Sequence, residues 1–131
     1  MKALDSTFII DFLRNDAKAI KKATEIQQEL IVTTAINHFE VLLGIHLSKE
    51  NKERRLQSFE EFMENIAIYP LDTKASKKAS EVAATLIKSG KTIEELDYLI
   101  AGILLNNSCT TIITRNTDHF KRIEGINVES Y

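Results

Sequence analysis

Ile31-Val32-Thr33-Thr34 runs without a break into Ala35-Ile36-Asn37-His38-Phe39-Glu40-Val41-Leu42-Leu43-Gly44-Ile45-His46-Leu47. The first four residues are β-branched throughout and read as a buried strand. The remainder has helical spacing, so a strand passes directly into a helix. The same alternation recurs on both sides. Upstream, Lys2–Leu4 is a short strand leading to Asp5, followed by helical spacing over Thr7–Leu13 and an amphipathic helix over Ala17–Leu30. Downstream come a helix over Lys52–Asn65, a strand over Ile66–Leu71 holding the sole proline, Pro70, and a long helix over Lys74–Ser89 closed by Gly90. Ile93–Asn107 is a further helix, Thr110–Thr114 a strand, and Ile126–Glu129 a fifth strand candidate. Strands separated by helices need crossover connections, which favour a parallel sheet covered on both faces. The pattern predicts one α/β domain over residues 1–131, three-layered, with a mostly parallel sheet of four to five strands.

Composition agrees and excludes other classes. The chain has 131 residues, 44% hydrophobic and 27% charged, with only four Gly and one Pro. These values exclude collagen-like, linker-like and disordered chains. A single cysteine, Cys109, forms no internal disulfide, which fits a reducing cytoplasm. Asp5, Asp11 and Arg14 interrupt any apolar leader, and Tyr98–Leu105 falls far short of a membrane span, about 18 residues or more. With 17 Lys+Arg against 19 Asp+Glu, a broad basic nucleic-acid surface is not expected.

The informative residues are carboxylates in places that carboxylates avoid. By the i, i+3, i+4 rule the inward stripe of the 35–47 helix is expected at Ile36, Phe39, Glu40, Leu43 and Leu47, which puts an acid on the buried side. A lone buried carboxylate must be paired, protonated or bound to a cation. Asp5 ends the first strand, and in open parallel sheets that edge lines the ligand crevice. Thr114-Arg115-Asn116-Thr117-Asp118-His119 opens on the same edge, and Asp97 stands in the first turn of a strongly apolar helix. Each has an ordinary explanation, namely pairing with a distant Lys or Arg for Glu40, helix capping for Asp5 and Asn116, and the helix dipole for Asp97. Together, with no lysine or histidine on the apolar faces of these segments, they point to a shared hard divalent cation such as Mg²⁺ or Mn²⁺. His38 and His46 do not have zinc-ligand spacing.

At this point the sequence resembles PIN-domain nucleases of the VapC toxin type. The likeness is carried by Leu4-Asp5-Ser6-Thr7-Phe8, by Phe39-Glu40 with Leu42-Leu43-Gly44, by Gly90-Lys91-Thr92-Ile93 with Asp97-Tyr98-Leu99-Ile100-Ala101-Gly102, and by Thr114-Arg115-Asn116 through Phe120. It implies an α/β/α fold and Mg²⁺- or Mn²⁺-dependent endoribonuclease activity. It also implies neutralisation by a small antitoxin, and homodimerisation. Asp5, Glu40 and Asp97 become the implied catalytic metal ligands, with Thr7 and Thr114 supporting them. Many relatives carry an acid directly before the phenylalanine, where this chain has His119 before Phe120. Asp118, or Asn116 with Thr114, is then left for the fourth position. Arg14 and Arg115 are candidate phosphate contacts with ordinary surface roles as the alternative. Two rival readings stand beside this one, a phosphohydrolase of another α/β fold and a PIN-like interaction module without catalysis. The first is disfavoured because dehalogenase-type enzymes use a second Asp where Thr7 stands. Setting Asp5, Glu40, Asp97 and Asp118 aside from the 19 acids leaves 15 against 17 bases, which weakens the charge argument against RNA.

Overall fold

The computed structural model describes residues 1–131. Five strands form one sheet, β1 (Lys2–Leu4), β2 (Ile31–Thr34), β3 (Ala67–Tyr69), β4 (Thr111–Ile113) and β5 (Asn127–Glu129), in the order β3-β2-β1-β4-β5. Every pairing is parallel, so the expectation of a mostly parallel sheet is met in full. β1 lies at the centre, with Ala3 opposite Val32 on one side and Ile112 on the other.

Successive strand residues face opposite sides of a sheet, and the core divides accordingly. Ala3, Val32 and Ile112 join Ile100, Leu104 and Phe120 on one face, whereas Leu4 and Ile113 join Phe8, Ile9, Val41 and Phe59 on the other. The second face is covered by α1 (Ser6–Leu13), α2 (Ala17–Glu25), α3 (Ala35–Leu47) and α4 (Lys52–Met63). The first is covered by α5 (Thr73–Lys88), α6 (Glu95–Asn106) and the short α7 (Thr117–Phe120). α5 and α6 pack closely at Gly102, where a Cβ would lie 2.5 Å from the backbone nitrogen of Ala79. No helix is long and apolar enough to cross a membrane.

Two expectations need correction. The second helix ends at Glu25 rather than Leu30, because Ile26 is buried and the chain turns there, with the Glu29 amide bonded to the Ile26 carbonyl, before entering β2. The inward stripe of α3 is also displaced. Asn37, Val41 and Ile45 are buried, whereas Phe39 and Leu47 are 53% and 73% exposed. α3 is apolar on most of its circumference, so spacing alone does not fix its phase. What fixes it is Asn37, whose side chain is bonded inward on three sides.

Candidate active site

Asp5 occupies the N-cap position of α1, but its carboxylate caps nothing. It turns instead into a buried set of neutral donors beyond the end of β1. Oδ1 accepts from Asn37 Nδ2 at 2.9 Å, and Oδ2 accepts from Thr114 Oγ1 at 2.6 Å and Thr7 Oγ1 at 3.1 Å. Thr114 directly follows β4, so the two central strands deliver the carboxylate and its hydroxyl partner to one edge. That edge lies beside β1, where the order of connection reverses and α/β sheets open their ligand crevice.

Asn37 extends the set. Its Nδ2 also lies 2.9 Å from Ser6 Oγ, and its Oδ1 accepts from Thr34 Oγ1 at 2.7 Å. Thr34 is the N-cap of α3 and accepts the Asn37 amide, so the turn that starts the helix also aims the Asn37 side chain. Ser6 Oγ donates onward to Glu40 Oε1 at 2.7 Å. Glu40 is half-buried as expected, but it has found a hydroxyl and not the Lys or Arg of the ordinary explanation. Its carboxyl is pushed above the usual range, first by burial, with Asp5, Asp97 and Glu94 adding repulsion against the lowering bond from Ser6.

Asp97 is buried in the first turn of α6, one turn after Glu94 at the helix N-cap. Burial raises its carboxyl too, and Asp5 and Glu94 add to this, while His119 opposes it. His119 Nδ1 is 2.6 Å from Asp97 Oδ2 and 3.0 Å from Asn116 Nδ2. A single ring nitrogen either donates or accepts. The shorter contact is satisfied when Nδ1 carries the proton and donates to Asp97.

The sequence-derived acids are thus divided. Asp5, Glu40 and Asp97 gather from three segments and feel one another's charge. Asp118 is exposed and has no hydrogen bond or ion pair with them. Asn116 reaches the acids only indirectly, its side chain through His119 and its backbone amide through Thr114 Oγ1 at 2.9 Å. Thr7 and Thr114 both sit where supporting roles need them. Ser6, Asn37, Glu94 and His119 escaped the sequence reading. The apolar faces of these segments carry no histidine that pairs an acid, but Asp97 nonetheless finds one in His119, which comes from α7.

The charge and chemistry of the donor set bear on whether it can hold a divalent ion. No lysine or arginine forms an ion pair with Asp5, Glu40 or Asp97, and His119 is their sole ionisable partner. Oxygen-rich, negatively overloaded sites suit hard cations. As the side chains stand, no three His, Cys, Asp or Glu groups close on one point. The oxygen-only, negatively charged donor set nonetheless fits such an ion in its chemistry. A separate groove of about 420 Å³ lies between α1, α3 and α4, lined by Leu13, Arg14, Val41, Ile45 and Arg54 among others, and none of these acids borders it.

The profile of the PIN domain matches residues 2–126. The chain belongs to the PIN-domain family. This PIN domain is 24% identical over 128 residues to the tRNA(fMet)-specific endonuclease VapC of Shigella flexneri, covering 98% of this chain and 96% of that protein. It superposes with a TM-score of 0.83 on a chain of VapBC-1 from nontypeable Haemophilus influenzae, at 26% identity over 98% of this chain and 96% of that one. A chain of VapBC2 from Rickettsia felis, solved on a promoter DNA fragment, gives 0.88 at 21% identity, with 99% and 98% covered, and bears on the fold alone. A phosphohydrolase of another α/β fold is thereby excluded as the identity of this PIN domain.

Proposed function

We propose that this PIN domain is a VapC-type endoribonuclease, a cytoplasmic hydrolase of RNA phosphodiester bonds that depends on Mg²⁺ or Mn²⁺ and acts as the toxin of a toxin–antitoxin pair. The observation that carries the reading is that Asp5, Glu40 and Asp97 lie within reach of one another's charge at the edge beside β1 without a lysine or arginine to balance them. Its support from relatives is the full-length similarity to the Shigella VapC endonuclease.

A bound divalent ion would polarise the phosphate and lower the pKa of an attacking water. Asp5, Glu40 and Asp97 would hold it. Asn37 and Thr114 fix the two oxygens of Asp5, Ser6 fixes Glu40, and His119 fixes one oxygen of Asp97, so each carboxylate is oriented before substrate arrives. Orientation by neutral donors leaves the negative charge in place, which a bound cation requires. In this proposal His119 stands in the fourth position, and the exposure of Asp118 speaks against Asp118 there.

The proposed partners are an RNA substrate, a small antitoxin protein and a second copy of the chain. Self-association is supported by the exposed α3 stripe of Phe39, Leu43 and Leu47, and sedimentation of the purified protein tests it. The activity test is RNA cleavage with Mg²⁺ or Mn²⁺, with and without chelator, beside Asp5→Asn and Asp97→Asn. Cleavage should require the ion and both carboxylates. Cleavage in chelator, or full activity in both variants, overturns the mechanism. Intact metal binding without cleavage of any RNA would support the non-catalytic module instead.

A further inference from the structure

A second carboxylate network lies beside the acids and is not used by them. Asp11, on α1, is buried at 8% exposure. Its Oδ2 accepts from the Tyr131 hydroxyl at 2.7 Å, and Arg115 Nη1 lies 3.2 Å from Oδ1 and 3.1 Å from Oδ2. Tyr131 is held in turn by its ring, which meets Phe8 edge-on with centroids 5.1 Å apart. Burial, and then the Asp11 carboxylate, push the Tyr131 phenol above its ordinary value, so it stays a proton donor. Asp11 is therefore fixed from both sides.

The backbone of Arg115 is tied to the acid cluster. Its amide donates to Thr7 Oγ1 at 3.0 Å, and the same hydroxyl lies 3.1 Å from Asp5 Oδ2. One residue earlier, Thr114 bonds the other side of Asp5. Although one nitrogen is pinned to a buried carboxylate, the Arg115 side chain is 64% exposed. Nη1 alone meets Asp11, so the side-on fork of Nε and Nη2 is left free for solvent. A carboxylate or phosphate fits that fork with two parallel hydrogen bonds.

From this geometry, and resting on the nuclease reading above, we infer that Arg115 is a preorganised contact for an RNA phosphate flanking the acid cluster, with Asp11 and Tyr131 as its positioning residues. The edge formed by Asp5, Glu40, Glu94 and Asp97 repels a polyanion. A fixed guanidinium at its rim supplies attraction where the backbone of the substrate must pass. An ordinary surface ion pair would have no need of a buried, doubly bonded carboxylate to hold it.

The test is RNA binding by fluorescence anisotropy in chelator, where nothing is cut, repeated over a series of KCl concentrations. Arg115→Ala should weaken binding at least about tenfold, since hydrogen bonds to charged groups are worth roughly that much. It should also reduce the slope of log K against log salt by about 0.7, the value for one phosphate contact on a single strand. Arg115→Lys should keep the slope and lose part of the affinity. Asp11→Asn and Tyr131→Phe should do the same, the latter guarding against a fold defect in the former. Mn²⁺ affinity should be unchanged in Arg115→Ala. Unaltered affinity and slope in Arg115→Ala would overturn the inference while leaving the nuclease reading intact. Wild-type affinity in both Asp11→Asn and Tyr131→Phe would remove the positioning role. If the wild type neither binds nor cuts RNA, the nuclease reading itself has failed.

Discussion

Asn37 is the residue on which the acid cluster is hung, and its replacement by Asp is the sharpest perturbation available. The change keeps size and shape but turns the amino group facing Asp5 Oδ1 at 2.9 Å into a carboxylate oxygen. Asn37→Ala serves as reference. It removes one hydrogen bond to a charged group, about 1.5–3 kcal/mol, and the bonds with Ser6 and Thr34, about 1 kcal/mol each, for a total near 4 kcal/mol. In a domain of this size that lowers Tm by roughly 15 °C. Asn37→Asp loses the same bond to Asp5 and adds repulsion between two charges, about 4 kcal/mol at 4 Å with an effective dielectric near 20. The introduced carboxyl is destabilised in the fold only when ionised. Its extra cost is therefore complete above its raised folded pKa and vanishes as pH falls toward the unfolded value, near 4. Urea denaturation in chelator at about pH 8 and about pH 5 should show Asn37→Asp well below Asn37→Ala at the higher pH and approaching it at the lower. Equal stability of the two variants at the higher pH, or a difference that does not change with pH, would refute the reasoning.

Four further outcomes follow from the same structure. Glu40→Gln should raise stability near neutral pH, because the raised carboxyl is penalised when ionised and Ser6 can still donate to the amide, while RNA cleavage is lost; the gain should fade on acidification, and thermal melts over pH check both parts. Divalent cation should raise the Tm of the wild type and do so less in Glu40→Gln, which calorimetry at fixed ion concentration reads directly. His119→Ala removes the partner that opposes the upward push on Asp97, so it should weaken Mn²⁺ binding more than Asp118→Ala, which should leave it unchanged; titration of both variants with Mn²⁺ tests the assignment of the fourth position. Gly102→Ala forces a Cβ against the Ala79 backbone and should cost about 3 kcal/mol or more without altering metal affinity, as measured by urea midpoints beside the same titration.

The sheet was legible because its strands carry their own signals. Ile31–Thr34 is β-branched and Lys2–Leu4 stops at an acid, so both strands were placed with their observed bounds. Asp5 was legible for the same reason, since a parallel strand fixes where its last residue opens. The phase of α3 was not, because Phe39, Leu43 and Leu47 are as apolar as Val41 and Ile45, and only the tertiary bonds of Asn37 decide between the two faces. His119 was overlooked for a related reason. Nothing in local spacing relates it to Asp97, and the two meet at 2.6 Å only because α7 folds back on the N-terminal end of α6. Asp118, one place before the position that is acidic in many relatives, is exposed, because a one-residue step around a single turn of helix decides which side chain looks inward.

The bond between Thr114 and Asp5 spans a sequence separation of 109 residues. During synthesis Asp5 emerges early, but β1 has no β4 beside it, Asp5 lacks its strongest donor, and Asp97 lacks His119 until the last segment is made. Parallel pairing over such a separation is also slow to form. A chain made only as far as α6 carries all three acids but lacks Thr114 and His119, the partners that hold Asp5 and Asp97. On the nuclease reading proposed above, cleavage therefore waits until the last segment of the chain has been made.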